Sequence, residues 1–193
     1  QKDIKIQNQF IFNDFPVKFS KLLEKINVEF LKQKFNEQSS IDIGSYKQLN
    51  LLKKQNRILQ NKAFFLDRDG VINEDNGYVL NFSQFKMLPG VKKAIHLLNK
   101  EKFLVIILTN QAAVGKGLIN EKELKEIHYK MSYEIKKYKN STINDIFYAP
   151  YYKNSKIKDY KKNFKDRKPN IGMFVKAIKK WNIDPNKSYF IGD

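Results

Sequence analysis

Two carboxylates, Asp67 and Asp69, end a hydrophobic run and are followed at once by Gly70, in the stretch Ala63-Phe64-Phe65-Leu66-Asp67-Arg68-Asp69-Gly70-Val71-Ile72-Asn73. An apolar strand that delivers two acids to its C-terminal end builds a site, because unpaired charge there is costly unless something cationic is bound. A divalent metal and a phosphate are the ligands this chemistry suits. Further along the chain stand Thr109-Asn110-Gln111, Gly115-Lys116-Gly117, Arg167-Lys168-Pro169 and Gly192-Asp193. Paired acids serve nucleophilic and proton-transfer steps, and a hydroxyl with an ammonium can hold a phosphoryl group. Taken singly, each motif has a plainer use. Asp-x-Asp-Gly also fits a turn or a calcium-type loop, Thr109 a satisfied strand-end hydroxyl, and Lys168, Lys116 and Arg167 solvated surface charge.

These residues are useful only if the fold gathers them. From residue 63 the pattern alternates strand and helix, which predicts an α/β fold: a Rossmann-like parallel sheet with helices on both faces. Ala63–Leu66 reads as a short buried strand. Val71–Phe85 mixes Gly, Asn and aromatics and predicts a hairpin or flap. Pro89-Gly90 opens a helix with Val91, Ala94, Ile95 and Leu98 on one face. Phe103–Leu108 is an unbroken apolar strand. Asn120 and Glu123 form a capping-box pattern before a helix striped by Leu124, Ile127, Met131, Ile135 and Tyr138. A third strand spans Ile146–Ala149, a third helix carries Met173, Phe174, Ala177, Ile178 and Trp181, and a fourth strand spans Ser188–Ile191. Strand C-termini converge on one edge of an open parallel sheet, so Asp67, Asp69, Thr109, Lys168 and Asp193 are expected to meet. His96 and His128 are assigned to helix surfaces and given no catalytic role.

Composition sets outer bounds. The chain has 193 residues, 41% of them hydrophobic, no cysteine and a formal charge of +17. Disulfides and thiolate metal sites are excluded, and a reducing cytoplasm is the expected location. No apolar run is long enough for a bilayer, so no membrane partner is expected. Only Arg57, Arg68 and Arg167 are arginines among the 37 basic residues. The lysines are spread along the whole chain, as codon bias in an AT-rich genome would spread them. No nucleic-acid partner is expected, and a small anionic substrate suits the charge equally well.

In order along the chain, Asp67-x-Asp69-Gly70, Thr109, Lys168 and Gly192-Asp193 resemble the four motifs of the haloacid-dehalogenase-like phosphatases. Leu66-Asp67-Arg68-Asp69-Gly70-Val71-Ile72-Asn73, Gly77-Tyr78-Val79, Pro89-Gly90-Val91, Thr109-Asn110-Gln111, Gly115-Lys116-Gly117 and Arg167-Lys168-Pro169 resemble in particular the heptose-bisphosphate and histidinol-phosphate phosphatase branch. The resemblance covers residues 61–193 and implies a minimal cap. It implies Asp67 as nucleophile, forming an aspartyl-phosphate, and Asp69 as general acid and base. It implies Mg²⁺ held by the Asp67 side chain, the Asp69 backbone carbonyl and the Asp193 carboxylate. Thr109 and Lys168 would hold the phosphoryl group, and Asn110, Lys116 and Arg167 the rest of the substrate. The implied reaction removes the 7-phosphate of D-glycero-D-manno-heptose 1,7-bisphosphate, a small phosphorylated sugar, in nucleotide-activated heptose biosynthesis. Histidinol-phosphate hydrolysis and a phosphate-binding module without turnover are the alternatives.

The sequence departs from the branch in two places. Many relatives carry a structural zinc in the loop before Arg-Lys-Pro, on Cys and His ligands. Here the matching positions read Ala149-Pro150-Tyr151 and Phe164-Lys165-Asp166, so zinc is not expected. Packing of Tyr151, Tyr152, Tyr160 and Phe164 is expected to hold loop 150–166 instead. The family also continues past Gly192-Asp193 with a further acid, strand and helix, so residues 61–193 are read as C-terminally incomplete. Residues 1–60 carry an apolar stripe from Val17 to Ile26 and an amphipathic segment from Leu49 to Leu59. Within them, Ile41-Asp42-Ile43-Gly44-Ser45-Tyr46-Lys47-Gln48-Leu49 resembles a stretch near the C-terminus of sugar-phosphate nucleotidyltransferases, with Asp42 as the one transferable residue. That resemblance implies the truncated tail of a transferase fused to a phosphatase; a plain helical extension is the alternative.

Overall fold

The computed structural model describes residues 60–161 and 164–192. The stripe at Val17–Ile26, the Asp42 motif, the Leu49–Leu59 segment and Asp193 lie outside the described residues. Strands β1 (Ala63–Leu66), β2 (Leu104–Asn110), β3 (Asp145–Ala149) and β4 (Tyr189–Ile191) form one sheet in the order β3-β2-β1-β4. Every pairing is parallel, with Phe64 opposite Val105 and Tyr189. Helices α1 (Val91–Lys100), α2 (Ala112–Gly115), α3 (Glu121–Lys136) and α4 (Gly172–Trp181) connect the strands.

All four residues of β1 are buried, as a strand covered on both faces requires. Its side chains alternate between two cores. Phe64 and Leu66 join Val105, Ile107 and the inner faces of α1 and α3 (Ile95, Leu98, Leu124, Met131). Ala63 and Phe65 join Ile106, Leu108 and α4 through Met173, Phe174 and Ala177. The alternation is the period of two in an extended chain. Among the described residues, no helix is long and apolar enough to cross a membrane.

β2 runs to Asn110, so Thr109 and Asn110 are its last two residues rather than a loop after it. The capping box forms at α3: Asn120 Oδ1 accepts from the Glu123 N–H, and Glu123 returns a bond to the Asn120 N–H. Tyr138 falls beyond α3, where its ring meets that of His96 edge-on. Residues 71–88 build a loop closed at its base rather than a strand hairpin. The Glu74 N–H bonds the Lys86 carbonyl at 2.9 Å and the Leu88 N–H bonds the Ile72 carbonyl at 2.9 Å. Between these bonds lies one short 3-10 turn, Phe82–Gln84, capped by Asn81.

Candidate active site

The strand order reverses at β1: the chain steps outward through β2 and β3, then crosses to β4 on the other side. Such a switch point opens a crevice at the carboxyl ends of the strands, and Asp67 and Asp69 follow β1 directly. Gly70 makes the abrupt turn possible. Its φ of +76° is open to glycine at little cost, and the turn folds the N–H groups of Val71, Ile72 and Asn73 back onto the Arg68 carbonyl.

Asp67 is 8% exposed. Its Oδ1 accepts from the Arg68 N–H at 2.7 Å, and its Oδ2 accepts from Lys168 Nζ. Burial raises the Asp67 carboxyl above its ordinary range, while the Lys168 charge and hydrogen bond pull the other way. Lys168 comes from the loop before α4, 101 residues away. Asn110 at the end of β2 sets its position: Nδ2 donates to the Lys168 carbonyl at 3.1 Å and Oδ1 accepts the Lys168 N–H at 3.0 Å. The Asn110 amide therefore grips the backbone of the phosphate-binding candidate.

Asp69 is held by three side chains. Arg68 donates from Nε to Oδ1 at 3.0 Å and from Nη2 to Oδ1 and Oδ2 at 2.8 and 3.0 Å. Asn73 Nδ2 donates to Oδ1 at 3.0 Å, and Gln111 Nε2 to Oδ2 at 2.9 Å. Asn73 accepts a penalty for this orientation, because its buried Oδ1 has no hydrogen-bond partner among the described residues. Thr109 is fully buried, and its Oγ1 accepts from Gln111 Nε2 at 2.9 Å.

Asp67, Asp69, Thr109, Asn110 and Lys168 are thus linked through hydrogen bonds at one sheet edge. Lys116 and Arg167 are placed differently. Lys116 Nζ lies 4.8 Å from the Tyr78 ring and 4.7 Å from the Tyr152 ring, joining the 71–88 loop to the loop after β3. Its hydrogen bond with Tyr78 raises its pKa. Arg167 Nη1 donates to the Tyr151 carbonyl at 3.2 Å.

Three residues were missed from sequence: Arg68, Gln111 and His128. His128 corrects the surface assignment, being 6% exposed with Nε2 3.4 Å from Arg68 Nη1. Its spacing from Leu124, Ile127 and Met131 puts it on the buried face of α3, so helical periodicity held the signal. The expected tyrosine packing of the 150–166 loop forms at Tyr151 and Tyr160, which lie against the two cores, and polar bonds add to it. Tyr148 and Tyr160 both donate to Glu121 at the start of α3, at 2.6 and 2.9 Å. α2 presses against this loop so closely that a Cβ on Gly115 would lie 2.4 Å from the Pro150 carbonyl oxygen. The Phe164 side chain lies outside the described residues.

The groups that donate to Asp67 and Asp69 are nitrogens of Arg68, Lys168, Asn73 and Gln111, and the chain offers no thiolate. Adjacent carboxylates with oxygen ligands, one of them destabilised by burial, fit a hard divalent cation. Asp67 and the Asp69 carbonyl would hold it.

A buried acid with an ammonium at its side, on the carboxyl edge of a parallel sheet, is an arrangement suited to phosphoryl transfer. The model of the family described as polynucleotide kinase 3 phosphatase matches residues 61–193, and the chain belongs to that family of haloacid-dehalogenase-like phosphatases. Among curated proteins it is 36% identical over 132 residues to the D-glycero-beta-D-manno-heptose-1,7-bisphosphate 7-phosphatase of Haemophilus ducreyi, covering 68% of this chain and 72% of that one. It is 35% identical to the Haemophilus influenzae protein of the same name, covering 69% of this chain and 71% of that one. Among solved structures it is similar to a putative HAD-like phosphatase from Mesorhizobium loti, with TM-score 0.65, 25% identity, and 70% and 65% of the two chains covered. It is also similar to the D,D-heptose 1,7-bisphosphate phosphatase of B. bronchiseptica in complex with magnesium and phosphate, with TM-score 0.56, 29% identity, and 64% and 65% covered. The chain thus spans just under two thirds of these solved chains.

Proposed function

We propose that this chain is a magnesium-dependent phosphomonoester hydrolase that removes the 7-phosphate of D-glycero-D-manno-heptose 1,7-bisphosphate. The contact between Asp67 and Lys168 at the end of β1 carries this reading. It pairs a buried nucleophile candidate with the cation that would accompany the incoming phosphate. The names of the curated relatives support the sugar substrate, and the magnesium and phosphate in the B. bronchiseptica protein support the cofactor.

An Asp67 carboxylate oxygen attacks phosphorus, and the bond from phosphorus to the sugar oxygen breaks, leaving an acyl phosphate on Asp67. Asp69 gives a proton to the leaving oxygen, then takes one from the water that attacks the acyl phosphate; inorganic phosphate leaves and Asp67 is restored. A protonated Asp69 has one acceptor position fewer, so in the first step a donor from Arg68 or Asn73 on the crowded Oδ1 gives way as substrate enters, while Gln111 keeps its bond to Oδ2. Lys168 and Thr109 hold the equatorial oxygens. Bound Mg²⁺ would supply positive charge against the two acids and the phosphate. Asn110 acts through Lys168, while Lys116 and Arg167 are left to meet the far end of the substrate.

Asp67→Asn keeps the shape of the side chain and removes the nucleophile. Its turnover of the heptose bisphosphate should fall at least about 1,000-fold with an unchanged circular dichroism spectrum; turnover near that of the unaltered protein would end the aspartyl-phosphate reading. Histidinol phosphate and an oligonucleotide 3′-phosphate, assayed in parallel, should be poorer substrates, and faster cleavage of either would replace the sugar. The Ile41–Leu49 motif supports reading residues 1–60 as the tail of a sugar-phosphate nucleotidyltransferase joined to the phosphatase at residues 61–193. The DNA flanking this reading frame tests that: an upstream frame lacking a Gly-rich nucleotide-binding start would refute it.

A further inference from the structure

We infer that Gln111 is a positioning residue for the reaction, using the two hydrogens of one amide to fix Asp69 and Thr109 in the states that catalysis needs. The inference rests on the phosphatase reading above. Gln111 is the residue before α2, yet its side chain makes no capping bond to that helix. It is 4% exposed and turns into the sheet edge. There Nε2 donates to Asp69 Oδ2 at 2.9 Å and to Thr109 Oγ1 at 2.9 Å. A carboxylate offers only acceptors, which fixes the end of the amide that faces Asp69. Both Nε2 hydrogens are then committed.

The consequence for Thr109 is a matter of hydroxyl valence. Its oxygen has one hydrogen to give. With Gln111 donating into that oxygen, the Thr109 hydrogen is directed at another acceptor, and phosphoryl oxygens are acceptors. Gln111 therefore sets Thr109 as a donor before substrate arrives. The consequence for Asp69 concerns position. Arg68 and Asn73 belong to the same turn as Asp69 and move with it, whereas Gln111 reaches it from the end of β2. The Gln111 N–H is itself fixed to the Ala149 carbonyl at the end of β3, at 2.8 Å. One amide thus ties the proton-transferring acid to the sheet edge that carries the phosphate-binding hydroxyl. Such supporting bonds matter when placement must hold to within about half an ångström.

Gln111→Met keeps the length of the side chain and removes both donors; Gln111→Glu keeps the shape and puts an acceptor against Asp69. With the heptose bisphosphate, each variant should lose about 100-fold in kcat with KM within about twofold. With p-nitrophenyl phosphate, whose leaving oxygen needs little protonation, the loss should shrink to about 10-fold, the part carried by Thr109. A lowered unfolding temperature with unchanged kcat would make Gln111 a packing residue and overturn the inference, as would equal losses on the two substrates. Gln111→Glu preserves a polar group in the buried site should Gln111→Met fail to fold. Asp67→Asn in the same series separates the two readings. Activity in Asp67→Asn removes the phosphatase mechanism itself, whereas an inactive Asp67→Asn beside a fully active Gln111→Met removes only the role of Gln111.

Discussion

Arg68 sits between the two acids and is 1% exposed. Its guanidinium cannot give up its proton in a protein, so every neighbour must accommodate a buried charge. Asp69 does so with its carboxylate. His128, on the other side, does so by remaining neutral: burial, then repulsion from Arg68, lower its pKa to about 3. The unfolded chain takes up a proton on His128 below about pH 6.5 while the folded protein does not. Stability contributed by this site is therefore present above pH 6.5 and is lost as pH falls toward 3, by at most about 1.4 kcal/mol per pH unit. His128→Gln removes that titration. Between pH 6.5 and 5, where most carboxylates are still ionised, urea unfolding should show a shallower loss of stability for His128→Gln than for the unaltered protein; parallel slopes would contradict a buried neutral imidazole. In a chain that otherwise uses Lys for nearly every cation, an Arg between two acids marks a need for a planar fork of donors.

At the level of elements, α3 links the core to the site. Its N-terminus is fixed by the Asn120–Glu123 capping box, and Glu121 in its first turn accepts from Tyr148 in β3 and from Tyr160 in the loop after β3, anchoring that loop. The Tyr148 hydrogen bond lowers the Glu121 carboxyl pKa. One helix start thus holds a long loop in a chain without thiolate ligands. Asn120→Ala removes the cap and should destabilise the fold by about 1 kcal/mol, lowering the unfolding temperature by about 2–4 °C. A shift of zero in a calorimetric scan would mean that packing alone fixes the helix start. The 71–88 loop is closed at its base by two backbone bonds, and Lys116 between the Tyr78 and Tyr152 rings joins it to the Glu121-anchored loop.

On the scale of the whole molecule, the reversal of strand order at β1 decides where charge collects. Asp67 and Asp69 stand at the crevice between outward-stepping β2 and returning β4, and burial works against the charge of Asp67. A cation that binds only the folded site stabilises the fold, by about 2.7 kcal/mol at a concentration of 100 times its Kd. Chelator-treated protein should be inactive and should unfold at a lower temperature than protein in millimolar Mg²⁺. Asp67→Asn should reduce the thermal shift as well as the activity. An unaltered protein whose unfolding temperature ignores Mg²⁺ would have no specific site for it.

The four strands and helices α1, α3 and α4 were legible because their burial patterns are local, whereas α2 and the 3-10 turns, too short to carry a period, were not. Two-residue alternation, the 3.6-residue stripes of α1, α3 and α4, and the Asn120 cap are written within a few residues, so the sequence by itself determined the parallel α/β sheet and named Asp67, Asp69, Thr109 and Lys168. Contacts across the chain are not written locally. Only tertiary structure decided that Gln111 bridges Asp69 to Thr109, that Asn110 grips the Lys168 backbone from 58 residues away, and that His128 lies beneath Arg68. Those pairings depend on which strand ends lie side by side, and strand order follows from the packing of helices on the two faces rather than from the pattern of any one segment.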